Sequence, residues 1–198
     1  MKKGWKILML LAVVALLFTA CQQEEEAADA AEEKAPTIVA SMATDVGGLG
    51  DKSFNDGAYA GLEMARDELG VEINVIESKQ QTDYIPNLTG LAEDGSDIVF
   101  AVGFLMEQAV KEAAANMPDH YFAGIDIAAG EDDPENFQGI LYKEEQAGYL
   151  AGVVAGMMTK EYAGVSDKLN DENVVGVVLG MFVPPVERYE VGFIQGIK

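Results

Sequence analysis

Thr44-Asp45-Val46-Gly47-Gly48-Leu49-Gly50-Asp51-Lys52-Ser53-Phe54-Asn55 is the stretch that decides the fold. It follows a nearly unbroken apolar run of strand length, residues 37–43, and precedes a helical pattern with Ala58, Leu62, Ala65 and Leu69 on one face. A strand that ends in a carboxylate, turns through glycines and opens a helix delivers side chains to the carboxyl edge of a sheet. Open α/β folds bind ligands at that edge. Asp45, Ser53, Phe54 and Asn55 offer there an acceptor, a hydroxyl, a stacking face and an amide within one turn of each other.

Outward from this stretch, apolar runs of strand length recur at 71–77, 97–102, 121–127 and 137–142. Helical patterns separate the first four, at 55–69, 84–93 and 106–117. Strands apolar on both faces that alternate with helices predict a parallel sheet clothed by helices, with right-handed crossovers. Residues 37–142 are therefore read as one Rossmann-like α/β lobe. Next, Ala147, Leu150, Ala151, Val154 and Met158 form an apolar stripe at helical spacing, and Gly148, Gly152 and Gly156 recur every fourth residue beside it. Glycine costs about 1 kcal/mol relative to alanine inside a helix, so three in register predict close approach to a neighbouring element. The stripe is too short to span a bilayer. A polar loop at 167–173, a second strand pattern at 174–183 and a helix at 186–198 complete the chain. One strand and one helix cannot close a core of their own, so residues 143–198 are expected to be the start of an incomplete second lobe.

The first residues read as an address. Lys2, Lys3 and Lys6 precede an apolar run at 7–20, of signal-peptide length. It ends Leu17-Phe18-Thr19-Ala20-Cys21, and small residues before a cysteine resemble the bacterial lipobox, in which that cysteine is lipidated. Cys21 is the only cysteine, so neither a disulfide nor a thiol nucleophile is available within the fold. Residues 21–36, rich in Glu, Ala and Asp, read as the lipidated cysteine and a solvated acidic tether. The expected location is the extracytoplasmic side of the cell membrane, held by the lipid anchor.

A net charge of −21 with 13 Lys and Arg excludes nucleic acid as a partner, because counterion release needs clustered cations. Residues 47–53, Gly-Gly-Leu-Gly-Asp-Lys-Ser, superficially suggest a phosphate loop. Asp51 interrupts the required Gly-Lys-Ser contiguity, and Asp45 and Asp51 would repel a pyrophosphate. His120 is the only histidine, so neither a Ser-His-Asp triad nor a zinc site has its usual groups. It reads as a strand-entry residue, and Asp132-Asp133 as part of a solvated turn. No chemical step, cofactor or metal is expected.

Two further strand ends reach the edge occupied by Asp45. Gly103-Phe104-Leu105-Met106 follows one, and Asp126 ends another. In a parallel sheet Asp45, Phe54, Asn55, Met106 and Asp126 share one rim. Each also has a local reading: Asp45 as a helix cap, Phe54 as a core staple, Asp126 as a turn residue. The shared rim favours a binding site.

The chain resembles the basic membrane protein family of substrate-binding lipoproteins for ABC importers, whose characterised members include purine nucleoside receptors. The resemblance rests on Asp-Val-Gly-Gly-Leu-Gly-Asp-Lys-Ser-Phe-Asn (45–55), Val-Gly-Phe (102–104), Phe-Ala-Gly-Ile-Asp (122–126), Glu-Gln-Ala-Gly-Tyr-Leu-Ala-Gly (145–152) and Val-Gly-Phe-Ile-Gln-Gly (191–196). It implies a type I periplasmic-binding-protein fold, in which two α/β lobes close over a solute. By position, Phe54 would stack on a purine ring, Asp45, Asn55 and Asp126 would hydrogen-bond base or ribose, and Ser53 and Met106 would line the cleft. It also implies ABC transporter permease subunits as partners. Two other readings stand beside it: a receptor of the same fold for a sugar or signalling molecule, and a surface adhesin or regulatory lipoprotein with a vestigial cleft.

Overall fold

The computed structural model describes residues 37–161, 165–169 and 172–198. The expected signal peptide (1–20), lipidation site at Cys21 and tether (21–36) lie outside the described residues. The chain from Ile38 to Lys198 forms one compact unit. Its centre is a five-stranded parallel sheet of β1 (Val39–Thr44), β2 (Glu72–Glu77), β3 (Ile98–Val102), β4 (Tyr121–Ile125) and β5 (Phe137–Ile140), in the order β2-β1-β3-β4-β5. The helices are α1 (Phe54–Leu69), α2 (Tyr84–Glu93), α3 (Glu107–Asn116), α4 (Glu144–Glu161) and α5 (Pro184–Ile197).

Period-two alternation along β1 divides its side chains between two cores. Ala43 enters the core built with Leu88, Leu91 and Ala92 of α2 and with Ala109, Val110, Ala113 and Ala114 of α3. Alanines on α3 let that helix lie close to the sheet. Ala40 and Met42 point the other way, to Leu62 of α1. Truncating a side chain as enclosed as Leu88 costs about 2–5 kcal/mol. Beside α1, the same face of the sheet carries an apolar groove of about 410 Å³ along Met42, Phe100, Val102 and Ile125. Ser41, on the α2 side, is buried but hydrogen-bonded to Ser96 (2.6 Å) and to the Asn74 amide, which donates to it at 3.4 Å.

The α1 helix stops at Gly70, whose φ of 72° lets its N–H bond back to the Arg66 carbonyl (3.0 Å). His120 stands at the entry to β4 with Nδ1 3.2 Å from the Ser96 carbonyl, a structural contact. Asp133 is more than a solvated turn residue. It accepts the Gly130 N–H and pairs with Lys111 of α3 at 3.0 Å, tying the loop before β5 to that helix.

The α4 and α5 helices cross at backbone contact. A Cβ on Gly148 or Gly152 would overlap the carbonyls of Tyr189 or Phe193, and one on Gly192 or Gly196 would overlap those of Glu145 or Tyr149. The close approach expected of the α4 glycines is thus made to α5. No helix among the described residues is long and apolar enough to cross a membrane.

The strand expected at 174–183 is not formed. The segment carries no regular secondary structure, and among the described residues no strand pairs with it. Val178 is 99% exposed and Phe182 86%. Strand propensity describes side chains that suit a pleated surface, and without a neighbour to complete the ladder it does not make a strand.

Candidate functional site

Strand register creates the site. Thr44 of β1 lies opposite Val102 of β3, which lies opposite Ile125 of β4. The next residues, Asp45, Gly103 and Asp126, therefore stand side by side at the carboxyl edge, across about 10 Å at ordinary strand spacing. The connections from β1 and β3 depart in opposite senses, β1 being followed by its neighbour β2 and β3 by β4. Such a reversal leaves a crevice between the strands. The crevice opens into a cavity of about 570 Å³, within the usual range for small-molecule sites.

The residues 45–53 loop is shaped by carboxylates, two of its own and two from the adjoining strand β2 and helix α1. Asp45 Oδ1 accepts from the Gly47 N–H at 2.9 Å and from Asn55 Nδ2 at 3.1 Å. Glu77 accepts the Leu49 N–H at 3.1 Å. Asp56 accepts those of Gly50 and Lys52, each at 2.8 Å. Asp51 takes the N–H groups of Ser53 and Asn55 (2.9 Å each) and Asp56 (3.1 Å). Asp51, not the Ser53 side chain, thus satisfies the first turn of α1. The bonds from Asn55 and Ser53, above all, hold its carboxyl below the usual carboxylate range. Where a phosphate loop would present free N–H groups to an anion, these are already occupied from within the chain.

Asp45, Ser53, Phe54 and Asp126 all line the cavity. Phe54 is half-buried: it packs on the α1-side core and also faces the cavity. Gly103, with a φ of 112°, has no Cβ. One built there would sit 3.1 Å from Asp45 Oδ2 and 3.4 Å from the Phe54 ring, so glycine keeps this bay open between carboxylate and ring edge. Asn55 does not line the cavity. It is 2% exposed and braces Asp45, while its own Oδ1 is buried without a hydrogen-bond partner among the described residues. Met106 is fully buried in the α2/α3 core, and Phe104 and Leu105 line the cavity in its stead. The physical reason is a short 3-10 turn, Phe104–Met106, which sends its third side chain inward.

The far wall comes from residues not singled out in the sequence: Tyr142, Glu144, Met181, Val186 and Tyr189. Tyr142 follows β5, Glu144 opens α4, and the other three flank the start of α5. Pro184-Pro185 before a helical pattern was the available signal, since proline marks a helix start.

Asp126 adopts a φ of 63°, tolerable for aspartate, and its N–H bonds the Ile140 carbonyl at 2.9 Å. Burial raises its carboxyl above the ordinary range. The Glu144 carboxylate pushes the same way, and the Arg188 guanidinium opposes both. Glu144, 3% exposed, is held by Arg188 through Nε at 2.8 Å and a second nitrogen at 3.2 Å. That two-pronged bond lowers the Glu144 carboxyl. The cavity as a whole is apolar in its walls, with acceptors and negative charge at the strand-tip rim.

Residues 38–198 match the family Bmp, described as ABC transporter substrate-binding protein PnrA-like. An uncharacterized lipoprotein of Pyrococcus furiosus is 38% identical over 162 residues, covering 81% of this chain and 38% of its own length. An ABC transporter nucleoside-binding protein, BmpA, of Lactococcus lactis is 29% identical over 163 residues, 80% of this chain and 43% of its own length. Among solved structures, an ABC transporter solute-binding protein from Aeropyrum pernix superposes with a TM-score of 0.72 at 30% identity, covering 81% of this chain and 42% of that one. The chain spans about two-fifths of the length of these relatives.

Proposed function

We propose, since the chain belongs to the Bmp family of ABC transporter substrate-binding proteins, that its strand-tip cavity is one half of a cleft for a purine nucleoside, delivered to membrane permease subunits from a lipid-anchored position. Residues 37–142 form the first lobe in this reading, and 143–198 begin the second. The observation that carries it is the convergence of Asp45, Phe54 and Asp126 on one cavity from separate elements. A flat, uncharged ring with N–H donors on its edge suits that arrangement. Phe54 supplies the stacking face, Asp45 Oδ2 beside Gly103 accepts from the edge, and Asp126 accepts from base or ribose. Stacking one base contributes about 1–3 kcal/mol, and a hydrogen bond to a charged group about 1.5–3. A few such contacts in a closed cleft reach micromolar affinity after ordering costs. The nucleoside-binding relative in Lactococcus lactis supports the choice of solute.

The test is calorimetry of inosine with the full-length protein and its Phe54→Ala and Phe54→Leu variants. Leu keeps the apolar contact with α1 but has no π face. Both variants are expected to bind about 10–100-fold more weakly. Wild-type affinity in Phe54→Leu would remove stacking from the site, and a sugar that raised the melting temperature where inosine did not would replace the solute.

A further inference from the structure

Arg188 and Glu144 lie 44 residues apart in sequence, and their pairing has no part in the solute contacts proposed for the cavity. Glu144 is the first residue of α4, the point at which the chain leaves the sheet after β5. Arg188 lies one turn into α5. A carboxylate only 3% exposed is costly unless it is paired and hydrogen-bonded. Here both guanidinium prongs engage it at 2.8 and 3.2 Å, a fork geometry that lysine cannot reproduce. The pair is placed where two structural constraints meet. Behind it, the glycines of α4 and α5 hold the helices at backbone contact, so the two partners are kept at a fixed separation. In front of it lies the cavity, lined by Glu144 itself and by Asp126.

We propose that the Glu144–Arg188 pair is a positioning device for Asp126: it fixes one negative and one positive charge over the β4 tip, and so sets how strongly the Asp126 carboxylate holds a hydrogen-bond donor in the cavity. The two residues are positioning residues and need not touch the solute. The charged groups that face Asp126 are Glu144 from α4, Arg188 from α5 and, across the cavity, Asp45 from the tip of β1. Tyr142 and Tyr189 share the cavity wall. Glu144 alone would press Asp126 toward its protonated form, in which it can donate as well as accept. Arg188 holds it as an acceptor. A donor-bearing solute is gripped by the ionised form, so Arg188 favours binding at neutral pH and the Glu144 carboxylate opposes it. The meaning for binding rests on the reading of Asp126 as a solute contact. The electrostatic arrangement does not.

The experiment therefore has two arms, each with the full-length protein and its Glu144→Gln, Arg188→Gln and Arg188→Lys variants. The first follows the Asp126 carboxyl by 13C NMR against pH, assigned with Asp126→Asn. The expected result is a midpoint displaced in opposite directions, upward in Arg188→Gln and downward in Glu144→Gln, each by about half a pH unit or more. Arg188→Lys keeps the charge and is expected to stay near wild type even if the looser pair lowers the melting temperature. The second arm measures inosine affinity between pH 4 and 8. Its acid limb is expected to move with the Asp126 midpoint, to higher pH in Arg188→Gln and lower in Glu144→Gln. A pair that merely joins two helices would lower stability in both variants and leave the midpoints together. Midpoints that stay put, or that move in the same direction, overturn the proposal. Opposite midpoints with no inosine binding in wild type sustain the positioning role and count against the nucleoside reading instead. If Arg188→Gln fails to fold, the contrast between Glu144→Gln and Arg188→Lys decides the same question.

Discussion

Asp126 and Glu144 are neighbours whose carboxyl groups are displaced in opposite directions, the first up through burial and the second down through its bond to Arg188. Their contributions to folding therefore have opposite pH windows. Glu144 adds stability above the ordinary glutamate range and loses it as pH falls through its lowered value. Asp126 favours the folded state only below the ordinary aspartate range, and that contribution is lost as pH rises through its raised value. At neutral pH the ionised Asp126 opposes folding, because burial disfavours its charged form. Asp126→Asn keeps the shape and tolerates the same positive φ. It is expected to raise Tm at pH 7 by about 2 °C or more, with the gap closing below about pH 4. Scanning calorimetry at the two pH values checks this, and a gap independent of pH would deny the electrostatic origin.

At the scale of elements, the α4–α5 pair owes its geometry to glycines spaced four apart on both helices, Gly148 and Gly152 facing Gly192 and Gly196. Gly192→Ala would drive a methyl into the Glu145 carbonyl and is expected to cost about 1–3 kcal/mol in urea unfolding. Gly61→Ala in α1 is the contrast: nothing lies within 4 Å of a Cβ there. With no clash, the better helix former should stabilise by about 0.5–1 kcal/mol. Equal effects at the two positions would mean that the glycines reflect propensity and not contact. The α4 half of this pair was legible, because three glycines in helical register weaken a helix unless close packing makes up the loss. The α5 half was not singled out, since two glycines alone are ordinary. Likewise the rim of Asp45, Phe54 and Asp126 followed from the alternation of strands and helices, which implies a parallel sheet. Which side chains turn inward was set by details too local for pattern: the 3-10 turn that buries Met106, and the hydrogen bond from the Asn55 amide that draws it under Asp45.

For the whole molecule, the parallel sheet and its helices were readable because alternation of apolar runs and helical periods leaves few architectures open. Residues 174–183 failed as a strand because pairing is a property of two segments, and a sequence pattern speaks for one. Amide exchange should divide the molecule accordingly. The N–H groups of β1, β3 and β4, bonded on both sides within the sheet, are expected to be the most protected, and those of 174–183 to exchange at nearly the rate of free chain. Slow exchange at Val177 and Val178 would show that this segment is paired in solution. The self-satisfied turn between β1 and α1 has a consequence at this scale too. A 5′-monophosphate ester brought to this rim would find the amides of Gly47, Leu49, Gly50, Lys52 and Ser53 engaged and standing carboxylates at close range. With donors spent and carboxylates in their place, the turn repels a phosphate on electrostatic grounds and leaves a neutral group unopposed.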